Sequence, residues 1–297
     1  MENMVKRILI TGGTGFLGSH LVNKLSEENE IIVLKRSFSN TWRIDNKKNI
    51  KYYDIDKIDI EKVFEENEID IIIHTATKYG RNDEEIEELI ESNYLYPLKI
   101  LKLGEKHGVN TFINTDTVLP KDINIYSLTK NHFTDWLKYY SKKLKIFNLK
   151  LEHMYGEKDS NKKFIIYIIQ ELLENKKKID LTEGTQERNF IYIDDVVNAY
   201  KKIVKKEKGF VNGYHEYEIG TDKNITIKCL VKKIKKITKN EKTDLNFGAK
   251  KYRPNELMKS SNDFTKFKKE FDWEAKIDIE EGLRRTINYY KQQIGEK

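Results

Sequence analysis

One cysteine, three prolines and no long hydrophobic run mark this 297-residue chain. With Cys229 alone, no intrachain disulfide can form and no thiolate pair is available to a metal, which fits a reducing, cytoplasmic setting. The longest apolar stretch, Phe164 to Ile169, falls far short of the roughly 20 residues that span a bilayer, so no membrane partner is expected. Lys6 and Arg7 precede an apolar run that glycines break at once, unlike the apolar core of a signal peptide. An excess of one charge sign is also missing. The net charge of +7 comes from 55 basic residues interspersed with 48 acidic ones. Clusters such as Lys176 to Lys178 and Lys232 to Lys236 lack interleaved aromatics, so they read as solvated helix surface and no nucleic-acid partner is expected. His20, His107, His132 and His215 show no ligand spacing, and no metal is expected.

What is present begins at the start of the chain. Ile8 to Ile10 form a branched apolar run that opens into Thr11-Gly12-Gly13-Thr14-Gly15-Phe16-Leu17-Gly18, followed by the amphipathic stretch Ser19 to Leu25. The pattern predicts strand, glycine turn and helix. Gly12 permits the tight turn, Gly15 lets backbone N–H groups approach a pyrophosphate, and Gly18 lets the helix pack closely, so the loop is suited to a dinucleotide.

Strand-like runs at 31–34, 50–53, 69–73, 111–114 and 145–149 alternate with helical patterns at 60–66, 84–107 and 125–142. Several strands are apolar on both faces, which points to an α/β Rossmann fold, a doubly wound parallel sheet covered by helices. Residues 1–156 are expected to form the dinucleotide-binding domain. Residues 157–297 are expected to form a smaller α/β substrate lobe over the carboxyl edge of the sheet, with the chain crossing back around 188–204, and the cleft between the two is the expected site.

At the end of the second strand, where an acidic residue usually receives the ribose 2′-hydroxyl of NAD, stands Lys35-Arg36-Ser37. A carboxylate would repel a 2′-phosphate, whereas Arg36 can fork onto it and Ser37 can donate to it, so NADPH is the expected cofactor; exposed charge in a lysine-rich chain is the plainer alternative. Asp54 either accepts from the adenine amino group or is a turn carboxylate. Farther on, Tyr126 and Lys130 stand four residues apart on one helical face. The ammonium lowers the phenol's pKa and can hold the nicotinamide ribose. Tyr53/Lys57 and Tyr139/Lys143 share the spacing, but only Tyr126 opens a helix after a strand ending in Asn114-Thr115-Asp116-Thr117, where Thr115 can hydrogen-bond the oxygen that Tyr126 protonates.

These motifs, in this order, resemble the extended short-chain dehydrogenase/reductase family of nucleotide-sugar epimerases, dehydratases and reductases. Asn93, Met154-Tyr155-Gly156 and Arg188 to Asp195 extend the resemblance over nearly the whole chain. It implies a cofactor site of Gly12, Thr14, Gly15, Phe16, Leu17, Gly18, Lys35, Arg36, Ser37, Asp54, Ile55, Thr75, Ala76, Thr77, Asn93 and Lys130. It also implies a catalytic set of Tyr126, Lys130 and Thr115, and diphosphate contacts at Arg188 and Arg253, which without the resemblance read as ordinary salt bridges. Members often dimerise through the Tyr/Lys helix and the helix before it, so a homodimer is expected.

Dehydratases of the family carry a glutamate where this chain has Thr117, which argues against elimination, and Lys35-Arg36 argues against an epimerase with tightly held NAD. More narrowly, 34–37, 41–44, 74–81, 114–120, 126–130 and 152–156 are similar to the CDP-abequose and CDP-paratose synthase group. That resemblance implies NADPH-dependent reduction of the C4 ketone of a nucleotide-linked deoxyhexose, with substrate contacts at Thr117, Tyr79, Arg81, His153, Arg188 and Arg253. His153 replaces an asparagine that often touches substrate, and it either contacts sugar or phosphate or packs as a strand-end residue. Tyr79 and Arg81 either face the sugar or lie on an exposed loop. Asn189 departs from the usual aspartate. The rival readings are a nucleotide-sugar 4-epimerase or dehydratase and a non-catalytic dinucleotide sensor.

Overall fold

Branched apolar side chains at consecutive positions set the architecture, because a strand such as Ile8-Leu9-Ile10 can satisfy both faces only when helices cover both. The computed structural model describes residues 5–80, 84–260 and 263–295. In chain order its elements are β1 (Arg7–Thr11), α1 (Phe16–Leu25), β2 (Glu30–Lys35), β3 (Ile50–Asp54), α2 (Ile60–Glu66), β4 (Ile71–His74) and α3 (Ile86–Ile90). A π-helical turn (Glu91–Leu95) leads into α4 (Tyr96–Lys106), then β5 (Thr111–Thr117), α5 (Ile125–Tyr140), β6 (Lys145–Leu151), β7 (His153–Tyr155) and α6 (Phe164–Leu173). The remainder comprises β8 (Lys178–Leu181), β9 (Glu187–Tyr192), α7 (Ile193–Lys206), β10 (Gly213–Ile219), β11 (Asn224–Thr226), α8 (Ile227–Thr238), β12 (Asp244–Phe247), α9 (Thr265–Phe271) and α10 (Ile279–Gly295).

The chain divides into two compact units. The first comprises residues up to Leu151, Val197–Ile219 and Lys269–Phe271. It holds a seven-stranded sheet in the order β10-β6-β5-β4-β1-β2-β3, parallel at every pairing. The order reverses between β1 and β4, so the carboxyl ends of these two strands flank the crevice where such sheets bind ligands. Leu9, Ile32, Ile72, Phe112 and Ile146 of the sheet pack with Val63, Leu101, Phe133 and Leu137 of α2, α4 and α5 in one buried cluster. Each such side chain contributes about 1.5–3 kcal/mol by burial.

The second unit comprises Glu152–Val196, Gly220–Lys268 and residues from Asp272 onward. It contains the three-stranded sheet β11-β9-β7 and the parallel pair β12-β8. Asp195 accepts from the backbone N–H groups of Lys276 and Ile277 at 3.0 and 2.9 Å, tying the entry of α10 to that of α7.

Two features differ from the expectation. The segment that rejoins the first unit is 197–219 rather than 188–204, because Glu187–Tyr192 is held by β7 and β11 of the second unit. The helix expected over 84–107 is divided by the π turn at 91–95. Pro97 explains the division: it has no N–H to give the carbonyl of Asn93 one α-helical bond back, and its ring crowds that carbonyl.

Candidate functional site

Gly12 follows β1 with φ +68°, and a Cβ there would stand 2.6 Å from the Ala76 backbone nitrogen, so the loop after β4 packs directly on the glycine turn. At Gly18 a Cβ would stand 2.1 Å from Gly12 O, which only a hydrogen permits. Gly15 is exposed and meets only Gly12 O. It caps α1 without a side-chain bond, and the first turn carries no acidic residue. The first turn of α1 therefore presents the positive end of the helix dipole with no side-chain cap on it. Thr14, Phe16 and Leu17 stand beside this cradle, which fits the pyrophosphate of a dinucleotide.

The carboxyl ends of β2 and β3 lie side by side. Lys35 Nζ pairs with Asp54 Oδ1 at 2.5 Å, and the Ile55 N–H donates to Lys35 O at 2.9 Å. Ser37 gives its backbone N–H and its hydroxyl to the two oxygens of Asp56, both at 2.6 Å. Exposed Arg36 stacks 4.7 Å above the ring of Phe38. Of the two residues expected to receive a 2′-phosphate, Arg36 and Ser37, the serine thus already holds a carboxylate, as does Lys35 beside them.

The loop after β4 is built on two anchors. Thr75 gives its N–H and hydroxyl to Thr11 O at 3.2 and 2.8 Å, and the Ala76 N–H points to Thr11 Oγ at 3.5 Å. Asn93, fully buried in the π turn, accepts from Thr77 Oγ at 3.0 Å and the Lys78 N–H at 2.8 Å. Its amide donates to Lys78 O at 2.9 Å and to Thr129 Oγ at 3.2 Å, so one side chain fixes the loop against α5. Tyr79 follows, its ring 5.1 Å from that of Tyr126. Arg81 lies outside the described residues.

Asn124 caps α5 by accepting from the Ser127 N–H at 2.9 Å, in a reciprocal capping box that fixes where the helix starts. Tyr126 is therefore presented at the first turn, partly exposed, with Lys130 one turn deeper on the same face. Lys130 is 2% exposed, and among the described residues its ammonium makes no hydrogen bond or ion pair. Burial pulls its pKa below the usual lysine range, while the Asp116 carboxylate pushes it back up. Asp116 itself is buried and accepts from the Thr117 N–H at 2.8 Å, Asn148 Nδ2 at 2.9 Å and Thr134 Oγ at 3.1 Å. Thr117 is buried, its hydroxyl accepting from the Leu119 N–H at 3.2 Å. Thr115, on the opposite face of β5 from Asp116, stands 2.7 Å from the Tyr200 hydroxyl.

In the second unit, His153 is exposed at the start of β7, its Nδ1 3.3 Å from Glu152 Oε2 and its ring beside Phe190. Glu152 is buried and accepts from Ser260 Oγ at 2.7 Å. Arg188 pairs with Glu256 at 2.5 Å, and Arg253 is exposed. Asn189 is 1% exposed and donates to Thr221 O at 2.7 Å, while its oxygen accepts from the Thr221 N–H at 2.8 Å. An aspartate has no donor for the Thr221 carbonyl, so the departure from the family pattern has a local cause.

Sequence reasoning passed over the polar layer that β5, β6 and β10 share in the first unit. Asn148 links Asp116 to Asn114 and to Glu216, which also holds Lys150 and Tyr214. The signal was available in the polar residues at alternate positions of β5 and β6, which the register sets opposite one another as Asn114↔Asn148 and Asp116↔Lys150. His74, also missed, is fully buried with Nδ1 2.7 Å from Thr11 Oγ, and burial, then the charge of Lys130, holds it neutral.

The family described as NAD dependent epimerase/dehydratase matches residues 8–220. The chain is 37% identical to a CDP-abequose synthase of Salmonella muenchen, over 97% of this chain and 99% of that one. It is 32% identical to a CDP-abequose synthase of Salmonella typhimurium over the same shares. Among solved structures it is similar to a UDP-glucose 4-epimerase of Thermotoga maritima with UDP-glucose, at a TM-score of 0.85 and 25% identity, covering 97% of this chain and 99% of that one.

Proposed function

The chain belongs to the NAD dependent epimerase/dehydratase family, and from that premise we propose that it uses NADPH to reduce the C4 ketone of a nucleotide-linked deoxyhexose, a step in making activated sugars for surface polysaccharide. The relatives named CDP-abequose synthase support a CDP-linked substrate. The observation that carries the reading is Lys130: a buried ammonium without an ion pair among the described residues, one helical turn from a partly exposed phenol. Such a group is costly to keep in a fold and is characteristic of a site that works on protons.

Bound NADPH supplies the hydride. Tyr126 gives its phenolic proton to the C4 oxygen, and the positive charge of Lys130 stabilises the phenolate left behind. Thr115 donates a hydrogen bond to the same oxygen. Asp116 is held by three donors and Thr117 has no ionisable group, so the acid–base pair that elimination of water requires is missing from β5. Arg188 and Arg253 would meet the diphosphate, and Tyr79 and His153 the sugar. Exposed Leu95, Trp136 and Tyr139, on the π turn and α5, support a homodimer through these helices.

A 4-epimerase retaining NAD is the second reading, favoured by the two carboxylates, Asp54 and Asp56, that stand on Lys35 and Ser37. Both readings are tested by offering CDP-, GDP-, UDP- and dTDP-linked 4-keto sugars with NADPH. Oxidation of NADPH with one of them, reduced at least 100-fold in Tyr126→Phe, is the expected result. Stoichiometric NAD in the purified protein with no NADPH consumption would establish the second reading instead.

A further inference from the structure

We propose that Tyr200 is a positioning residue that fixes the Thr115 hydroxyl as a hydrogen-bond donor to the substrate's C4 oxygen. The inference rests on the function proposed above and assigns a role to a side chain that does not touch substrate. Tyr200 lies on α7, in the part of that helix belonging to the first unit, and is 0% exposed. Its hydroxyl stands 2.7 Å from Thr115 Oγ, and among the described residues no other hydrogen-bond partner reaches it.

The direction of this bond follows from burial. A fully buried phenol offered one acceptor gives its proton to that acceptor, because a buried O–H without a partner is strongly disfavoured. Burial also pushes the phenol's pKa well above its usual value, so it stays a donor at any working pH. With one lone pair of Thr115 Oγ taken by Tyr200, the threonine's own proton must turn elsewhere. Thr115 is partly exposed where Tyr200 is closed off, so that proton turns to the open side, at the carboxyl end of β5. A hydroxyl that would otherwise rotate among three staggered positions, donating in some and accepting in others, is thereby held ready to donate.

The strand alternation makes the arrangement specific to this residue. Thr115 faces α7, while its neighbour Asp116 faces Thr134 on α5. Tyr200 therefore hydrogen-bonds Thr115 and not Asp116.

The test is a double-mutant cycle of Tyr200→Phe and Thr115→Ala on the full-length enzyme with NADPH and the accepted 4-keto sugar nucleotide. Tyr200→Phe is expected to lower kcat roughly 3- to 10-fold with KM within about twofold, because the donor becomes misoriented rather than lost. In the Thr115→Ala background the same change is expected to have no effect on kcat. Equal losses in both backgrounds would overturn the proposal. Thr115→Ala with unchanged kcat would instead remove Thr115 from the mechanism, and the proposed positioning with it.

A readout without turnover separates the two levels. Thr115→Val should lower Tm by stranding the Tyr200 proton, and adding Tyr200→Phe should restore most of that loss. A double variant that melts below Thr115→Val shows that no donor was stranded, and the proposal fails whatever the enzyme turns over. Full restoration in a protein that reduces no 4-keto sugar nucleotide would count against the proposed function and leave the bond direction standing.

Discussion

Asp56 takes both donors of Ser37, one carboxylate oxygen on the backbone N–H and the other on the hydroxyl. The serine was expected to donate to a 2′-phosphate, so under the proposed use of NADPH the carboxylate competes for that donor. Asp56→Ala should raise the ratio of kcat/KM for NADPH over NADH by a factor of roughly two to five, the modest size reflecting full exposure and screening. Arg36→Ala should move the ratio in the opposite direction. Initial rates with the two cofactors at equal concentration check both, and an unchanged ratio in both variants would remove this corner of the site from cofactor choice.

Lys130 should trade stability for activity. Lys130→Met removes a buried charge while keeping the stem's volume, and should raise Tm by roughly 2–6 °C while reducing turnover at least 100-fold. The sign of the pH dependence follows from the lowered pKa. Between the folded-state value and about 10.5 the folded protein holds fewer protons than the unfolded chain, so the wild type gains stability relative to the methionine variant as pH rises through that window. Below the folded-state value the handicap of the buried charge is present in full. Denaturant titrations of both proteins at neutral pH and near pH 10 measure the difference.

Asp116→Asn keeps the shape of the side chain and reverses one of its contacts. An amide cannot accept on both ends, so with one end still accepting from the Thr117 N–H, its NH₂ meets the Asn148 donor. The expected loss is about 2 kcal/mol by chemical denaturation. Removing the charge that pushes the Lys130 pKa up also lets it fall further, so any alkaline limb of the pH–rate profile that reflects Lys130 should move to lower pH.

Asn189→Asp, which restores the family's usual residue, should destabilise this chain. It places a carboxylate oxygen against the carbonyls of Thr221 and Lys223, now without a donor between them. A loss of about 2 kcal/mol is expected at a position this buried. A thermal melt unchanged from wild type would show that the loop after β10 does not depend on this amide.

The glycine turn and the Tyr126/Lys130 pair were legible because each is written in consecutive residues whose spacing matches one local element. The resemblance read from them is borne out by the family match over residues 8–220, and the doubly wound sheet by the parallel order of its strands. What stayed hidden depends on register between distant segments. Asp116 could not be seen to be held by Asn148, or Thr115 to meet Tyr200, before the neighbours of β5 in the sheet and on its faces were known. The Ser37–Asp56 contact arises because β2 and β3 end side by side, which spacing along the chain does not encode. The π turn, by contrast, had a local signal in Pro97, four residues after Asn93.

Because β10 reaches the sheet only from residues 213–219, a ribosome must deliver some sixty residues beyond β6 before the sheet can close on that side. During that interval the edge of β6 away from β5 presents unpaired backbone, a template for any extended chain that meets it. A pause in synthesis just after β6 would therefore prolong an exposure that the completed sheet does not have. Slow codons would be tolerated far better once the closing strand has emerged.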